Sequence, residues 1–481
     1  MTAPGHLVLL SIVLVICVLL LWPTPGNPPG FHRDEASAAL NAYSIATTGR
    51  DEDGRAMPLF FASYGGYLSP VFPYALAAVF LVAKPSVATA RAIGSFAVLV
   101  SVLLLGLLAY RRTGSKGVVA ATLVLAAATP WLYELGRTGL EMTVMPACLV
   151  ALVLAVDRAY RAEDSSSLAR GALVGGALAL LVYSYAGGRG LAPFLALALL
   201  VFGRQGARWI AIAWVTFGLL CIPLMLHLDA ARARYDEVTA FPEGASVSER
   251  LEIFISNYAH DARLWHWITD GDPRPTHVTG VGHLLAAVTL LAVVGAILGI
   301  RSRDRWTIWL LLAVLLTPIP AAVTNGRDHA DRLLSYPVLL LALAIGGLAG
   351  LSRLAPRRRV GVVSVLVVLT LVQTVNYASA FRERGPKRTG AFESGVPALL
   401  AAAFARSPVV STDFDDRYGK TLTRWYALTH GIDPGRAVVL SDGGIPEDGS
   451  IVFGRLQSCD FTCVRLGEAD TYWIARAETG R

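Results

Sequence analysis

Read from its first residue, the chain alternates long apolar runs with short polar turns. A run of about 20 apolar residues is a candidate to cross a bilayer, since a helix rises about 1.5 Å per residue against a hydrocarbon core about 30 Å thick. Such runs lie at 6–22, 87–110, 117–133, 142–160, 169–184, 189–203, 208–227, 281–300, 306–323, 333–352 and 360–380. One more, 69–83, is shorter and carries Pro70 and Pro73. After the first run, "RDEASAALNAYSIATTG" sets Ala36, Ala39, Leu40, Tyr43 and Ile45 at near-helical spacing and ends at Gly49. That spacing predicts an amphipathic helix lying on the membrane surface. Beyond residue 381 the pattern changes. "GVPALLAAAFARS" and "RYGKTLTRWYALTHG" read as helices, while "VVSTDF", "AVVLS", "SIVFGRL", "TCVRL" and "TYWIARA" read as strands bounded by Gly, Asp and Pro.

Charge decides how the runs thread. If 69–83 does not cross and the N-terminus is cytoplasmic, the inner loops hold every basic cluster between spans. These are Arg111, Arg112 and Lys116; Arg158, Arg161 and Arg170; Arg204 and Arg208; Arg301, Arg303 and Arg305; and Arg353, Arg357, Arg358 and Arg359. Counting 69–83 as a span would move all of them outside, against the positive-inside rule. The expectation is an α-helical polytopic membrane protein with about 11 transmembrane helices over 1–381, with outer loops at 23–86 and 228–280. A small extracytoplasmic α/β domain over 382–481 follows. The first run, followed by "WPTPGNPPG" rather than a small-residue cleavage site, reads as an uncleaved helix.

Composition agrees. Residues are 54% hydrophobic and 16% charged, against about 25% charged in soluble domains. The net charge of +7 does not indicate nucleic acid, because the tail from Arg382 balances thirteen Lys/Arg against thirteen Asp/Glu. No zinc-ligand spacing and no nucleotide-binding glycine fingerprint is present. Cys17, Cys148 and Cys221 lie in apolar runs, whereas Cys459 and Cys463 form "CDFTC" in the polar tail, where a disulfide is plausible outside the cell.

Candidate chemistry gathers at the outer turns. Asp34 and Glu35 stand together after the first span, and carboxylates near lipid are a functional hypothesis by default. An acid at an apolar boundary gains basicity by desolvation, which suits a general base, while a helix N-terminus pulls the other way. Both acids could also simply cap the helix. The turn "WLYELGRTGLEMTVMP" carries Glu134, Arg137 and Glu141. "YSYAGGRGLAP" carries Tyr183, Tyr185 and Arg189, and "TNGRDHADRLLSYP" carries Arg327, His329, Asp331 and Arg332. Arginines there suit a lipid phosphate, or they snorkel to headgroups.

Taken together, these segments resemble the polytopic glycosyltransferases of the GT-C type that use lipid-linked sugars. The nearest group is family 39, the protein O-mannosyltransferases and aminoarabinose transferases. The Asp-Glu pair in "FHRDEASAALNAYSIATTGRDEDGRAMPLFFASYGGYLSPVFPY" is that group's signature, and "TPWLYELGRTGLEMTVMP", "YSYAGGRGLAP" and "DHADRLLSYP" follow in its order. The resemblance implies a monosaccharide donor on a polyprenyl phosphate, transfer at the outer face of the bacterial cytoplasmic membrane, and a glycan, lipid or protein acceptor. It implies Asp34 as the general base, with inversion, and Glu35 as a catalytic companion that orients the acceptor or supports Asp34. Glu134 and Glu141 would serve the acceptor or a divalent metal ion. Arg137, Arg189, Arg332 and His329 would hold the donor phosphate, with Tyr64, Tyr67, Tyr183 and Tyr185 as further site candidates. Where relatives carry a Lys this chain reads Leu68, and Arg91 or Lys84 could take its place. The rival readings are a transporter or flippase of a lipid-linked sugar, and a non-catalytic receptor. Spans nearly free of charge, with acids at their outer ends, favour the enzyme.

Overall fold

In the computed structural model the described residues are 3–63, 66–161, 166–227, 238–412, 417–439, 446–455, 462–469 and 471–478. They form two compact units. The first comprises Met1–Trp22, Gly94–Arg137 and Met142–Phe381; the second comprises Pro23–Ile93, Thr138–Glu141 and Arg382–Arg481. The division departs from a single boundary at 381. Residues 23–93 fold together with the C-terminal segment because buried groups join them, including a stack of Phe31 on Trp425 with ring centroids 5.1 Å apart.

The first unit is a helix bundle, and every expected apolar run is helical in it. Among the described residues, six stretches are long and apolar enough to cross a membrane: Val87–Thr113, Glu141–Arg161, Ser167–Ser184, Ala186–Met225, Arg305–Ala322 and Pro356–Lys387. The Ala186–Met225 stretch holds two of the expected runs, Ala186–Ala198 and Gly203–Met225, joined by a 3-10 turn. The four remaining runs form shorter apolar helices at Gly5–Leu21, Lys116–Ala128, Ala286–Arg301 and Ser335–Leu351. The 69–83 run yields only a ten-residue helix, Val71–Phe80, about 15 Å long and too short to span. Pro356–Arg384 exposes Val360, Val365, Val368, Leu371 and Val375 along its length. Such an apolar surface is stable only against lipid, so the chain is a multi-pass membrane protein.

Glycines set the closest helix crossings. A Cβ on Gly295 would come within 2.1 Å of the Leu343 carbonyl, and one on Gly347 within 2.1 Å of that of Leu291. Small residues let membrane helices approach where no hydrophobic driving force separates lipid from protein.

In the second unit, the helix Arg33–Thr48 forms where the sequence predicts it and ends on Gly49, whose φ of 69° suits only glycine readily. It does not lie on a surface. Residues Glu35 through Ala42 are buried in succession, round the whole helix. Ala36, Ala38, Ala39 and Ala42 leave room for Val71–Phe80 and Arg417–Thr429 to pack close on either side. The C-terminal part carries a five-stranded mixed sheet of β1 (Val410–Thr412), β2 (Ala437–Val439), β3 (Ile451–Arg455), β4 (Cys463–Ala469) and β5 (Tyr472–Ala477), in the order β2-β1-β3-β5-β4. The strand pairs β1–β2 and β1–β3 are parallel, and the rest are antiparallel. The helix Val396–Phe404 packs on this sheet. Cys463 is disulfide-bonded; Cys459 lies outside the described residues.

Candidate active site

Asp34 and Glu35 occupy the first turn of the small-residue helix, and their environments are opposite. His32 is the N-cap: its Nδ1 accepts the Asp34 amide at 3.1 Å, while its own amide donates to Glu35 Oε2 at 2.9 Å, a reciprocal capping box. Glu35 is fully buried. Its Oε1 accepts Arg91 Nε at 3.0 Å and the Gly139 amide at 2.6 Å, and its Oε2 accepts Arg91 Nη2 at 2.9 Å besides the His32 amide. Burial pushes this carboxyl up, but Arg91 and the two amides more than reverse the effect, leaving it below the ordinary carboxylate value. With both oxygens doubly occupied, Glu35 has no lone pair to offer a substrate. Glu35 thus fixes the turn that carries Asp34, which agrees with a supporting role and leaves it no free oxygen with which to orient an acceptor. Asp34, with 41% of its side chain exposed, has an accessible carboxylate, 3.7 Å from His32 Nδ1.

Arg91 is likewise structural. Beyond Glu35, its Nη1 donates to the Pro28 carbonyl at 2.8 Å and its Nη2 to that of Gly30 at 2.9 Å. It therefore does not stand in for the missing lysine. Glu141 accepts the amide of Ser69, the residue after Leu68. Tyr67 pairs with Ala62 in a two-stranded hairpin, Phe61–Ser63 with Gly66–Leu68, and Tyr64 lies outside the described residues.

In the first unit the other candidates divide. Arg137 is buried, and its Nη1 and Nη2 donate to the carbonyls of Trp22 and Leu19 at 2.6 and 2.7 Å. It caps the first helix, whose terminal carbonyls have no intrahelical partner. Tyr183 donates to the Leu220 carbonyl at 2.8 Å and ties two helices together. Tyr185 precedes the helix Ala186–Ala198, which carries Arg189. A Cβ on Gly187 there would lie 3.8 Å from the Arg332 carbonyl, so this bend and the 324–332 turn are neighbours. Arg332 Nη1 donates to Thr324 Oγ1 at 2.6 Å.

A buried ionic cluster, which sequence reasoning missed, joins that turn to "GDPRPTH", residues 271–277. Arg274 donates through Nε to Asp272 Oδ1 at 3.0 Å, through Nη2 to Asp331 Oδ2 at 3.1 Å, and to His329 Nε2. Burial and the Arg274 charge hold His329 well below its usual value, in keeping with its nitrogen meeting the Arg274 guanidinium. His277 is the reverse. Burial lowers it, but Asp331 and Asp272, with Glu134, raise it to about 10. The only outward signal was three ionisable residues within one proline-bounded stretch of a long loop.

Glu134, His277 and His283 bring potential ligand atoms within 4.8 Å of one another, and all three residues are buried. The donor chemistry does not fit a metal. A metal-bound histidine uses one unprotonated nitrogen and donates through the other. His283 Nδ1 instead accepts the Asp272 amide at 3.0 Å, which puts the proton on Nε2, the atom 3.3 Å from Glu134 Oε2. Both His277 nitrogens face carboxylates, Nδ1 at 3.8 Å from Glu134 and Nε2 at 3.2 Å from Asp331, as an imidazolium would. Glu134 also accepts Tyr377 Oη at 3.0 Å and the Val278 amide at 2.9 Å.

No family profile and no curated protein matches this chain. Solved structures do. The chain is similar to ArnT from Cupriavidus metallidurans bound to undecaprenyl phosphate, with a TM-score of 0.61 at 12% identity over 98% of each chain. The apo state of that protein gives a TM-score of 0.60 at 12% identity, over 98% of this chain and 97% of that one. The apo Archaeoglobus fulgidus oligosaccharyltransferase gives 0.53 at 13% identity, over 88% of this chain and 64% of that one. At such identities the likeness shows the fold, which is of the GT-C type.

Proposed function

We propose that the chain is a membrane glycosyltransferase that moves a monosaccharide from a polyprenyl-phosphate carrier to an acceptor hydroxyl. The single observation that carries this reading is the division of labour at the acid pair. Glu35 is saturated by four N–H donors, while Asp34, held on the same rigid turn, keeps an accessible carboxylate. The fold shared with a protein solved bound to undecaprenyl phosphate supports the donor class.

In this reading Asp34 takes the proton of the acceptor hydroxyl as its oxygen attacks the anomeric carbon. The bond from that carbon to the phosphate oxygen breaks on the opposite face, so the sugar inverts and the electron pair leaves with polyprenyl phosphate. Asp34 then returns its proton to water. In this reading the leaving phosphate is neutralised by cationic side chains, where electrostatic stabilisation contributes most. No step runs through a metal. The positive-inside pattern supports a cytoplasmic N-terminus, an outer-face site and an extracytoplasmic C-terminal unit in a bacterial inner membrane.

The test is Asp34→Asn in the purified full chain, assayed by release of polyprenyl phosphate from polyprenyl-monophosphate hexose and pentose donors. Loss of a general base lowers turnover by about 10²–10⁴-fold, with donor binding retained. Turnover near wild type removes Asp34 as base. Movement of intact donor across proteoliposomes without cleavage supports the flippase reading instead.

A further inference from the structure

We infer that Glu393, in the C-terminal segment, is a positioning residue for Asp34; this rests on the glycosyltransferase reading above. The two are far apart in sequence, but a continuous set of buried contacts connects them. Glu393 is 2% exposed. Its Oε2 accepts the Arg33 amide at 3.1 Å and its Oε1 accepts Arg33 Nη1 at 3.1 Å, so both oxygens grip the residue immediately before Asp34. To bring the carboxylate there, Glu393 adopts a left-handed backbone, with φ 44°. Non-glycine residues rarely do so, and strain of this kind persists where the surroundings over-determine it.

Those surroundings are built. The Phe392 ring meets the His32 ring edge-on at 6.0 Å and lies between the Arg91 and Arg388 guanidinium groups, at 5.7 and 5.3 Å. Arg388 donates to Asn27 Oδ1 at 3.0 Å. Gly30 crosses the same turn so closely that a Cβ would come within 2.1 Å of the Phe392 carbonyl. Residues 388–393 thus clamp both sides of the N-cap, His32 through Phe392 and Arg33 through Glu393. Asp34 inherits its direction from that cap, because His32 Nδ1 accepts its amide. Glu393 also titrates high: burial is the main cause, with the Asp34 charge adding to it and Arg33 and His32 opposing.

Glu393→Gln keeps the shape and one acceptor but removes the charge that holds Arg33. Measured on the full chain with the polyprenyl-phosphate donor assay, it should lower kcat about tenfold with KM within about twofold. In an Asp34→Asn background it should add no further loss, because it acts through Asp34. Wild-type kcat in Glu393→Gln, where Asp34→Asn is inactive, overturns this inference alone. An equal fractional loss with and without Asp34 also overturns it, since a general structural role predicts that. Wild-type turnover in Asp34→Asn overturns this inference together with the reading it rests on.

Discussion

Two adjacent carboxylates should fail in opposite ways. Replacing Glu35 by Gln leaves Arg91, with only 14% of its side chain exposed, without its counter-charge. It also turns an NH₂ donor toward the amide of Gly139 or His32, each of which donates to the carboxylate within 3.0 Å. Removing one partner of a buried pair costs about 3–5 kcal/mol, because the remaining charge stays desolvated. At about 2–4 °C per kcal/mol for a domain of 150–250 residues, that is a fall of about 6–20 °C in melting temperature. Asp34 is 41% exposed and outside that network. Surface substitutions away from buried networks shift stability by about 0.5 kcal/mol at most, so Asp34→Asn should melt within about 2 °C of wild type. The assay is thermal unfolding of the full chain in one detergent at one pH, with limited thermolysin digestion as a second probe. If Glu35→Gln melts with wild type, or if Asp34→Asn falls as far as Glu35→Gln, the division of labour is wrong.

Three further outcomes follow from the same geometry. His277 is raised above its unfolded value of about 6.5, so its stabilising contribution is complete below that pH and is lost as pH rises through about 10; His277→Gln should lower the melting temperature near pH 6 and flatten its fall between pH 7 and 10. Because the donor chemistry around Glu134, His277 and His283 does not suit a metal, incubation with EDTA and dialysis should leave melting temperature unchanged, and a drop restored by added divalent ion would refute this. A cysteine at exposed position Thr48 should react with an impermeant maleimide on intact cells, whereas one at Ser115 should react only after permeabilisation; the reverse pattern would invert the topology.

What the sequence could disclose was local. Helix positions followed from apolar periodicity, and the stop at Gly49 followed from a residue type that tolerates φ 69°. Partners were not legible, because a buried charge is defined by what lies across the fold. Glu35 meets Arg91 at a separation of 56 residues and Gly139 at 104, and Arg137 meets Leu19 at 118. Each of these looked in sequence like an unattached ionisable group near lipid, and such groups read as functional by default. The Ala-rich helix misled for a related reason. Alanine is mildly apolar, so its spacing resembles one greasy face, yet its small size is what lets two other helices close over every side.

An ionisable residue buried in a membrane protein with few charges must be paired, since burying an unpaired one is too costly. The informative acid is then the one left accessible after pairing. Glu35, Asp272 and Asp331 are each satisfied by arginine, histidine or amide donors. Glu393 is satisfied by Arg33. Asp34, on the same turn as Glu35, keeps an accessible carboxylate, and of that pair it is the one that could meet a hydroxyl. A fully bonded Glu35 holds the turn, and a held turn is what allows one exposed carboxylate to be aimed.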